Sequence, residues 1–103
     1  MRAVCACLLY TSVAALKTAS TEVARDGVTI NAIATGRIRT ARLREIYGSD
    51  EAMERAGNDV PAGRISTPEE FAPLVAFLCG EPASYITGQT IAIDGGLIGG
   101  LFG

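Results

Sequence analysis

The hydrophobic residues of the first half of the chain follow a helical period. Val13, Leu16 and Val23 lie at helical spacing on one face, and alanines widen that face between them. Lys17 and charged residues further along occupy the other side. This pattern predicts an amphipathic helix over residues 12–25 that packs closely on a sheet or on a second helix.

The pattern then changes to the two-residue period of a strand. Residues 28–33 are β-branched or apolar at nearly every other position, which favours a buried strand. Asp26-Gly27 is expected to end the preceding helix, because glycine adopts the left-handed cap without steric cost. Thr35-Gly36 forces a turn at the carboxyl end of the strand. Ligands of open α/β sheets bind at that edge, so this turn is the first candidate site.

Two short helices and a connecting loop are predicted after the turn. Residues 41–47 have a helical pattern that ends at Gly48, and residues 49–55 follow with Ser49 or Asp50 as the N-cap. Residues 57–65 are predicted to be loop.

A strong helix-start signal occurs in the last third of the chain. Thr67 is placed as the N-cap, Pro68 as the first helical residue and Glu70 as the capping-box residue. Pro73 falls inside this helix, where it removes a backbone donor, and Gly80 is expected to end it. A second strand is predicted over residues 89–93, and the Asp94-Gly95-Gly96 turn follows it.

The first twelve residues, MRAVCACLLYTS, do not fit this alternation of helices and strands. Cys5-x-Cys7 is compatible with a thiol or metal site, but no other ligands have suitable spacing, so an apolar or disordered tail is the simpler interpretation. A third interpretation is that CLLYTS is a spurious translation of sequencing-adapter DNA. We therefore expect residues 1–12 to be a non-homologous lead-in and residues 13–103 to form the domain.

Composition narrows the possible functions. The chain has 103 residues, enough for one domain, and 49% of them are hydrophobic. Its net charge of −2 gives no electrostatic basis for binding nucleic acid or a membrane surface. The sequence contains no histidine, which excludes Ser-His-Asp catalysis and histidine-ligated zinc, and we expect no metal site. Three cysteines form no disulfide framework, which favours the cytoplasm.

Three motifs in this order resemble the carboxyl-terminal part of the short-chain dehydrogenase/reductase family. They are Gly27-Val28-Thr29-Ile30-Asn31-Ala32, then Gly63-Arg64 with Thr67-Pro68-Glu69-Glu70, then Tyr85-Ile86-Thr87-Gly88-Gln89-Thr90 with Asp94-Gly95-Gly96. The resemblance extends from about Val13 to Gly96 and is strongest to 3-oxoacyl-acyl-carrier-protein reductases. It implies an α/β fold that is the carboxyl-terminal part of a Rossmann-like, doubly wound parallel sheet. Two strands and about three helices of that fold are expected in this chain.

The resemblance also implies a binding site for NAD or NADP. The family usually has Pro-Gly-x-Ile/Val-x-Thr after the strand, and Thr35, Gly36, Ile38 and Thr40 are the matching residues here. By resemblance, the backbone of Ile38 contacts the nicotinamide carboxamide and Thr40 hydrogen-bonds the carboxamide or the pyrophosphate. Gly36 allows the backbone to approach the ring. Thr35 replaces the usual proline, which removes no ligand because proline donates nothing from its backbone.

The catalytic residues of the family have no counterpart here. Its Tyr-x-x-x-Lys pair, counted back in register, falls on Cys5 and Leu9, which cannot perform that chemistry. Tyr10 is out of register, and the residue four positions later is Ala14. The glycine-rich phosphate loop of the family is also missing. We therefore expect no catalytic residue in this chain.

Two functional interpretations remain open. The first is a fragment of an NAD(P)-dependent oxidoreductase, expected to be a homo-oligomer, that acts on a small-molecule or acyl-carrier-bound carbonyl substrate. The second is a non-catalytic fragment or interaction module that binds no cofactor. Four arginines follow the turn, at positions 37, 39, 42 and 44. One of them could contact a phosphate-bearing substrate or carrier protein, although a solvated helix face is the simpler interpretation.

Overall fold

The computed structural model describes residues 2–6 and 10–100, with side chains described from residue 12 onward. Its helices and strands follow one another as β1 (Arg2–Ala6), α1 (Tyr10–Val23), β2 (Val28–Thr35), α2 (Ala41–Tyr47), α3 (Asp50–Asn58), α4 (Pro68–Leu78) and β3 (Thr90–Ile93). Short 3-10 helices, Ala24–Asp26 and Glu81–Ala83, follow α1 and α4. The sheet order is β1-β2-β3. These elements confirm the α/β class.

The described part of the chain contains three strands, so the expected count of two is wrong. β1 lies within the segment that we expected to be a lead-in, and it pairs in parallel with β2, with Arg2 opposite Val28 and Ala6 opposite Ala32. A run of five residues gives little periodicity, and the strand character of β1 comes from a partner elsewhere in the chain. Where the homologous domain begins remains a prediction.

The chain divides into two compact units. Unit 1 comprises Met1–Ala34 and Ala72–Ile91, and unit 2 comprises Thr35–Phe71 and Ala92–Gly103. Unit 1 therefore contains β1, α1, most of β2 and the loop before β3. Unit 2 contains the candidate turn, α2, α3 and the Asp94-Gly95-Gly96 turn.

A buried asparagine in unit 1 links β2 to the loop before β3. The Asn31 side chain, 2% exposed, donates to the carbonyl of Ile86 at 3.0 Å and accepts from the backbone N–H of Gln89 at 3.1 Å. The Ile30 N–H donates to the Thr87 hydroxyl at 3.1 Å, and the Ile30 carbonyl accepts from Gly88 at 2.7 Å. The loop before β3 is thus fixed against β2 through both side-chain and main-chain groups.

The predicted helix end at Gly27 is confirmed. Gly27 adopts a φ of 72°, and its N–H donates to the carbonyl of Ala24 at 3.2 Å. This left-handed cap suits glycine and lets β2 begin at the next residue.

Unit 2 packs around the two helices that follow the turn. Met53, Ala56 and Ile65 form a buried cluster, and Leu43 and Tyr47 pack against it. Helix α2 has the predicted bounds and ends at Gly48, while α3 extends three residues beyond the predicted Arg55. The extension brings Ala56 into the cluster and Gly57 against the backbone of Arg64, where a Cβ would lie 3.1 Å from the Arg64 Cα.

Candidate functional site: the turn after the central strand

The turn that follows β2 is fixed at its start by a close contact with Asp94. The Gly36 N–H donates to the carbonyl of Ile93 at 2.8 Å. A Cβ at position 36 would lie 2.5 Å from the Asp94 Cα, so glycine is required there for packing. The sequence analysis assigned Gly36 a role in cofactor approach, and the structure adds this separate steric reason. Thr35 is the last residue of β2 and its side chain is exposed.

The middle of the turn pairs with the segment before α4. Ile38 forms a parallel bridge with Ser66, in which the Ser66 N–H donates to Arg37 at 3.0 Å and the Arg39 N–H donates to Ser66 at 2.9 Å. This ladder uses the flanking residues of Ile38 and leaves the Ile38 N–H and carbonyl without a hydrogen-bond partner among the described residues. The Ile38 side chain is 9% exposed and anchors the segment. A main-chain donor and a main-chain acceptor are therefore held in place with no partner in the described part of the chain.

Thr40 ends the turn and caps the next helix. Its Oγ1 accepts a hydrogen bond from the N–H of Leu43 at 3.2 Å, as an N-cap does. A threonine hydroxyl that accepts one bond still has its proton to donate. The exposed Thr40 side chain can therefore cap α2 and donate to a ligand at the same time. This capping role was not predicted from the sequence.

The structure separates the four arginines after the turn. Arg37 bonds the carbonyl of Ala56 and lies 3.6 Å from Asp59, while the guanidinium of Arg42 lies 3.8 Å from Glu45. Arg44 lies 3.4 Å from Asp50. Arg39 is exposed and its guanidinium has no ion pair within the described part of the chain.

A cavity of about 320 Å³ lies beside Thr40 within unit 2. We call it the turn–helix cavity. It is lined by Arg39, Thr40, Ala41, Arg44, Asp50 and Met53. Helix α3 contributes its wall through Asp50 and Met53, and Ser49 caps that helix by accepting from the Ala52 N–H at 3.2 Å. The cavity thus adjoins the last residue of the candidate site.

The segment that pairs with Ile38 is held at its far end by an ion pair. Arg64 donates to both carboxylate oxygens of Glu70, at 2.8 Å and 2.5 Å, and Glu70 also accepts from the Thr67 N–H at 2.8 Å. The bond from Thr67 confirms the capping-box position of Glu70. The Arg64 hydrogen bonds, followed by the Thr67 N–H, lower the pKa of the Glu70 carboxyl to about 2. Glu70 in turn raises the pKa of Arg64.

The turn after β3 is organised by the Asp94 carboxylate. It accepts from the N–H groups of Ile98 and Gly96, both at 2.9 Å, and these bonds lower its pKa. Gly95 and Gly96 have positive φ values of 64° and 93°. The predicted Asp94-Gly95-Gly96 turn is confirmed. Its carboxylate is engaged by the backbone of its own turn, next to the point where Gly36 packs.

Only one of the two positions that match the catalytic pair of the family is among the described residues. The backbone of Cys5 belongs to strand β1, and Leu9 falls outside the described residues. Tyr10 is the first residue of α1, and its side chain is not among those described. The expectation that this chain has no catalytic residue remains a prediction. No group of three potential metal ligands occurs among the described residues.

Ser66 was not among the predicted site residues. Its main chain supports the turn on both sides of Ile38. Main-chain pairing leaves no side-chain signature, so only the folded structure could identify it.

Residues 11–98 match a family model described as enoyl-(acyl carrier protein) reductase. A probable 2,4-dienoyl-CoA reductase of Bacillus subtilis is 51% identical over 71 residues, covering 68% of this chain and 28% of the relative. A tropinone reductase homolog of Arabidopsis thaliana is 44% identical over 81 residues, covering 79% of this chain and 31% of the relative. The chain thus spans less than a third of each of these two relatives.

Solved structures agree with the sequence matches. YwfH, described as an NADPH dependent reductase involved in bacilysin biosynthesis, superposes with a TM-score of 0.83 at 34% identity, covering 88% of this chain and 38% of that chain. The RhlG/NADP active-site complex of Pseudomonas aeruginosa superposes with a TM-score of 0.75 at 32% identity, covering 84% of this chain and 35% of that chain. Within the described residues, no helix has the length and apolar character needed to cross a membrane.

Proposed function

Because this chain belongs to the short-chain dehydrogenase/reductase family, we propose that it is the nicotinamide-side part of an NAD(P)-dependent oxidoreductase domain. The residues that would hold the cofactor are Thr35, Gly36, Ile38 and Thr40, all in unit 2. The substrate of the complete domain would be a carbonyl/alcohol pair on a small molecule or an acyl carrier, as in 3-oxoacyl-acyl-carrier-protein reductases.

This proposal rests on the Ile38 N–H and carbonyl, which have no hydrogen-bond partner among the described residues. A carboxamide presents one acceptor and two donor hydrogens, so it is complementary to an N–H and a carbonyl on the same residue. The bridge to Ser66 fixes Ile38 while leaving both of these groups available among the described residues. Main-chain groups held in advance bind a ligand with little further loss of conformational entropy. The residues present therefore fit a nicotinamide carboxamide.

Thr40 and Gly36 would complete the binding surface. The Thr40 hydroxyl keeps a proton to donate while its oxygen caps α2. Gly36 holds the start of the turn against Asp94 and presents no side chain to a ligand. When bound, the dinucleotide supplies the hydride. This chain would orient the nicotinamide through Ile38 and Thr40.

The proton-transfer residues would come from outside this chain. The in-register positions hold Cys5 and Leu9, neither of which supplies the phenol and ammonium of the family. We therefore expect this chain alone to bind the nicotinamide end weakly and to be inactive as a reductase.

The same proposal extends to assembly and location. Leu97 and Ile98 are 37% and 44% exposed, which leaves apolar surface beside the Asp94-Gly95-Gly96 turn. Covering such surface is a common role of a subunit contact, so we propose a homo-oligomer. Three cysteines without a disulfide framework fit the proposed cytoplasmic location.

The test is an amide-resolved NMR titration of this chain with NADH and, separately, NADPH. We expect saturable shifts at Ile38 and Thr40, with a dissociation constant on the order of 1 mM, which corresponds to about 4 kcal/mol. Unchanged amides in the turn at saturating dinucleotide would contradict the proposal and favour the non-catalytic interaction module.

A pair of cap variants separates binding from folding. Thr40→Val removes both the cap and the hydroxyl proton, whereas Ser49→Ala removes only the cap of α3. Each should destabilise the fold by about 1 kcal/mol. Only Thr40→Val should weaken the dinucleotide-induced shifts, and Thr40→Ser should restore them. Equal weakening by Ser49→Ala would show that the Thr40 effect comes from helix capping alone.

A further inference from the structure

We propose that Arg39 binds an anionic group, a carboxylate or a phosphate, on the carbonyl substrate, in the turn–helix cavity. The inference rests on the proposed function and assigns a substrate class to it. Arg39 lies between the two residues that would hold the nicotinamide, Ile38 and Thr40. A substrate bound by Arg39 would therefore lie beside the cofactor ring.

The charge balance of the cavity favours an anion. Its charged lining residues are Arg39, Arg44 and Asp50. Arg44 and Asp50 lie 3.4 Å apart and offset each other. The positive charge of Arg39 is left over in a volume of about 320 Å³, which suits a small organic acid.

The backbone of Arg39 is held by a hydrogen bond, and its side chain is exposed. Its N–H donates to the Ser66 carbonyl at 2.9 Å, and the neighbouring Ile38 is buried. Side chains alternate along an extended segment, so burial of Ile38 directs Arg39 to the opposite side. The guanidinium is exposed and presents a planar fork of donors that matches a carboxylate or phosphate in two parallel hydrogen bonds.

The other arginines after the turn are engaged within unit 2. Arg37 bonds Ala56 and faces Asp59, and Arg42 faces Glu45. Arg39 also lines an adjoining cavity of about 320 Å³ together with Glu54 and Arg64. Arg64 is already bound to Glu70, and Glu54 forms no ion pair with Arg39 within 4.0 Å. Among the described residues, an incoming anion therefore competes with no existing ion pair at Arg39.

The experiment compares an oxo acid with its neutral ester. The 103-residue chain is titrated with 4-oxopentanoate and with methyl 4-oxopentanoate at constant ionic strength, and the Arg39 Nε–H and turn amides are followed by NMR. We expect the acid to bind at least about tenfold more tightly than the ester, which is about 1.4 kcal/mol. Equal affinities for acid and ester would overturn the inference.

Three variants test whether Arg39 causes the preference for the acid over the ester. Arg39→Gln should abolish the preference for the acid, and Arg39→Lys should retain part of it, because the charge remains while the fork is lost. Arg42→Gln is the matched control and should leave the preference unchanged, since Arg42 pairs with Glu45 outside the cavity lining. A preference that survives Arg39→Gln, or that is lost in Arg42→Gln, would overturn the inference.

The same samples separate this inference from the proposed function. Dinucleotide-induced shifts at Ile38 report on the proposed function, and the acid preference reports on Arg39. Shifts at Ile38 without an Arg39-dependent acid preference would overturn only the inference. If the Arg39 Nε–H responds to NADH or NADPH and not to the oxo acid, the bound anion is a phosphate of the cofactor, and the substrate assignment is wrong.

Discussion

The loop before β3 in unit 1 and the turn after β2 in unit 2 differ in how their polar groups are used. Asn31 of β2 bonds main-chain groups of the loop, Thr87 of the loop bonds the main chain of β2, and β2 and the loop exchange further hydrogen bonds. In the turn, the pairing with Ser66 engages Arg37 and Arg39 and leaves Ile38 unused within the described chain. A closed hydrogen-bond network stabilises a fold, whereas a rigid segment with unused groups is suited to binding a ligand.

Asn31→Ala should have the largest effect, because it removes the centre of the closed network. The Ile86 carbonyl and the Gln89 N–H would both lose their partner in a buried site. We expect the free energy of unfolding to fall by about 3 kcal/mol, measured by chemical denaturation. Asn58→Ala, at an exposed position of α3, is the control and should change it by less than about 0.5 kcal/mol. A loss at Asn31 no larger than this would mean that the network does not stabilise unit 1.

Gly36→Ala should have the next largest effect, and it acts on the turn. The added Cβ would meet the Asp94 Cα at 2.5 Å, so the backbone must shift. We expect a loss of about 2 kcal/mol in the free energy of unfolding. Dinucleotide-induced shifts at Ile38 should weaken as well. Gly27 is less suitable as a control because its φ of 72° strains any substitution, but Gly99→Ala has open space. A Gly36→Ala chain as stable as Gly99→Ala would contradict the packing role.

The ion pair beside the turn should give the smallest effect, visible only in acid. The pKa of Glu70 is lowered from its ordinary value of 4.5 to about 2 in the folded chain. The ionised carboxylate of Glu70 therefore stabilises the folded state relative to the unfolded state. This contribution is fully present above pH 4.5 and is lost as the pH falls through about 2. Thermal unfolding between these values should therefore show a pH dependence that Glu70→Gln reduces, while Asp94, whose pKa is also lowered, contributes to what remains. Glu69→Gln is the neighbouring control, and an unchanged slope in Glu70→Gln would show that another group titrates.

The sequence predicted the elements whose signals are local. Helix α2 has the expected bounds and ends at Gly48, and Thr67, Pro68 and Glu70 mark the start of α4. The role of Asn31 was not predictable, because its partners lie 55 and 58 residues away. The packing of Gly36 on Asp94 is equally non-local. Strand β1 was missed for the same reason, since its hydrogen bonds are with β2.

The cofactor role of the four site residues remains a prediction, and the structure adds local roles for two of them. Thr35, Gly36, Ile38 and Thr40 were selected by resemblance, and the structure gives Gly36 a packing role and Thr40 a capping role that the resemblance did not include. Both roles are compatible with cofactor binding. Arg39 could not be separated from its neighbours by sequence, because the acids that engage the other three arginines are recognisable only in the folded unit.

Hydrogen exchange at two amides tests most directly the contrast between the turn after β2 and the loop before β3. The Ile38 amide has no partner in the described structure, whereas the Gly88 amide donates to Ile30 at 2.7 Å. We expect Ile38 to exchange fast in the free chain and to slow in proportion to the bound fraction when NADH or NADPH is added, while Gly88 stays protected throughout. An Ile38 amide that is already protected in the free chain, or that exchanges at the same rate at saturating dinucleotide, would contradict the account.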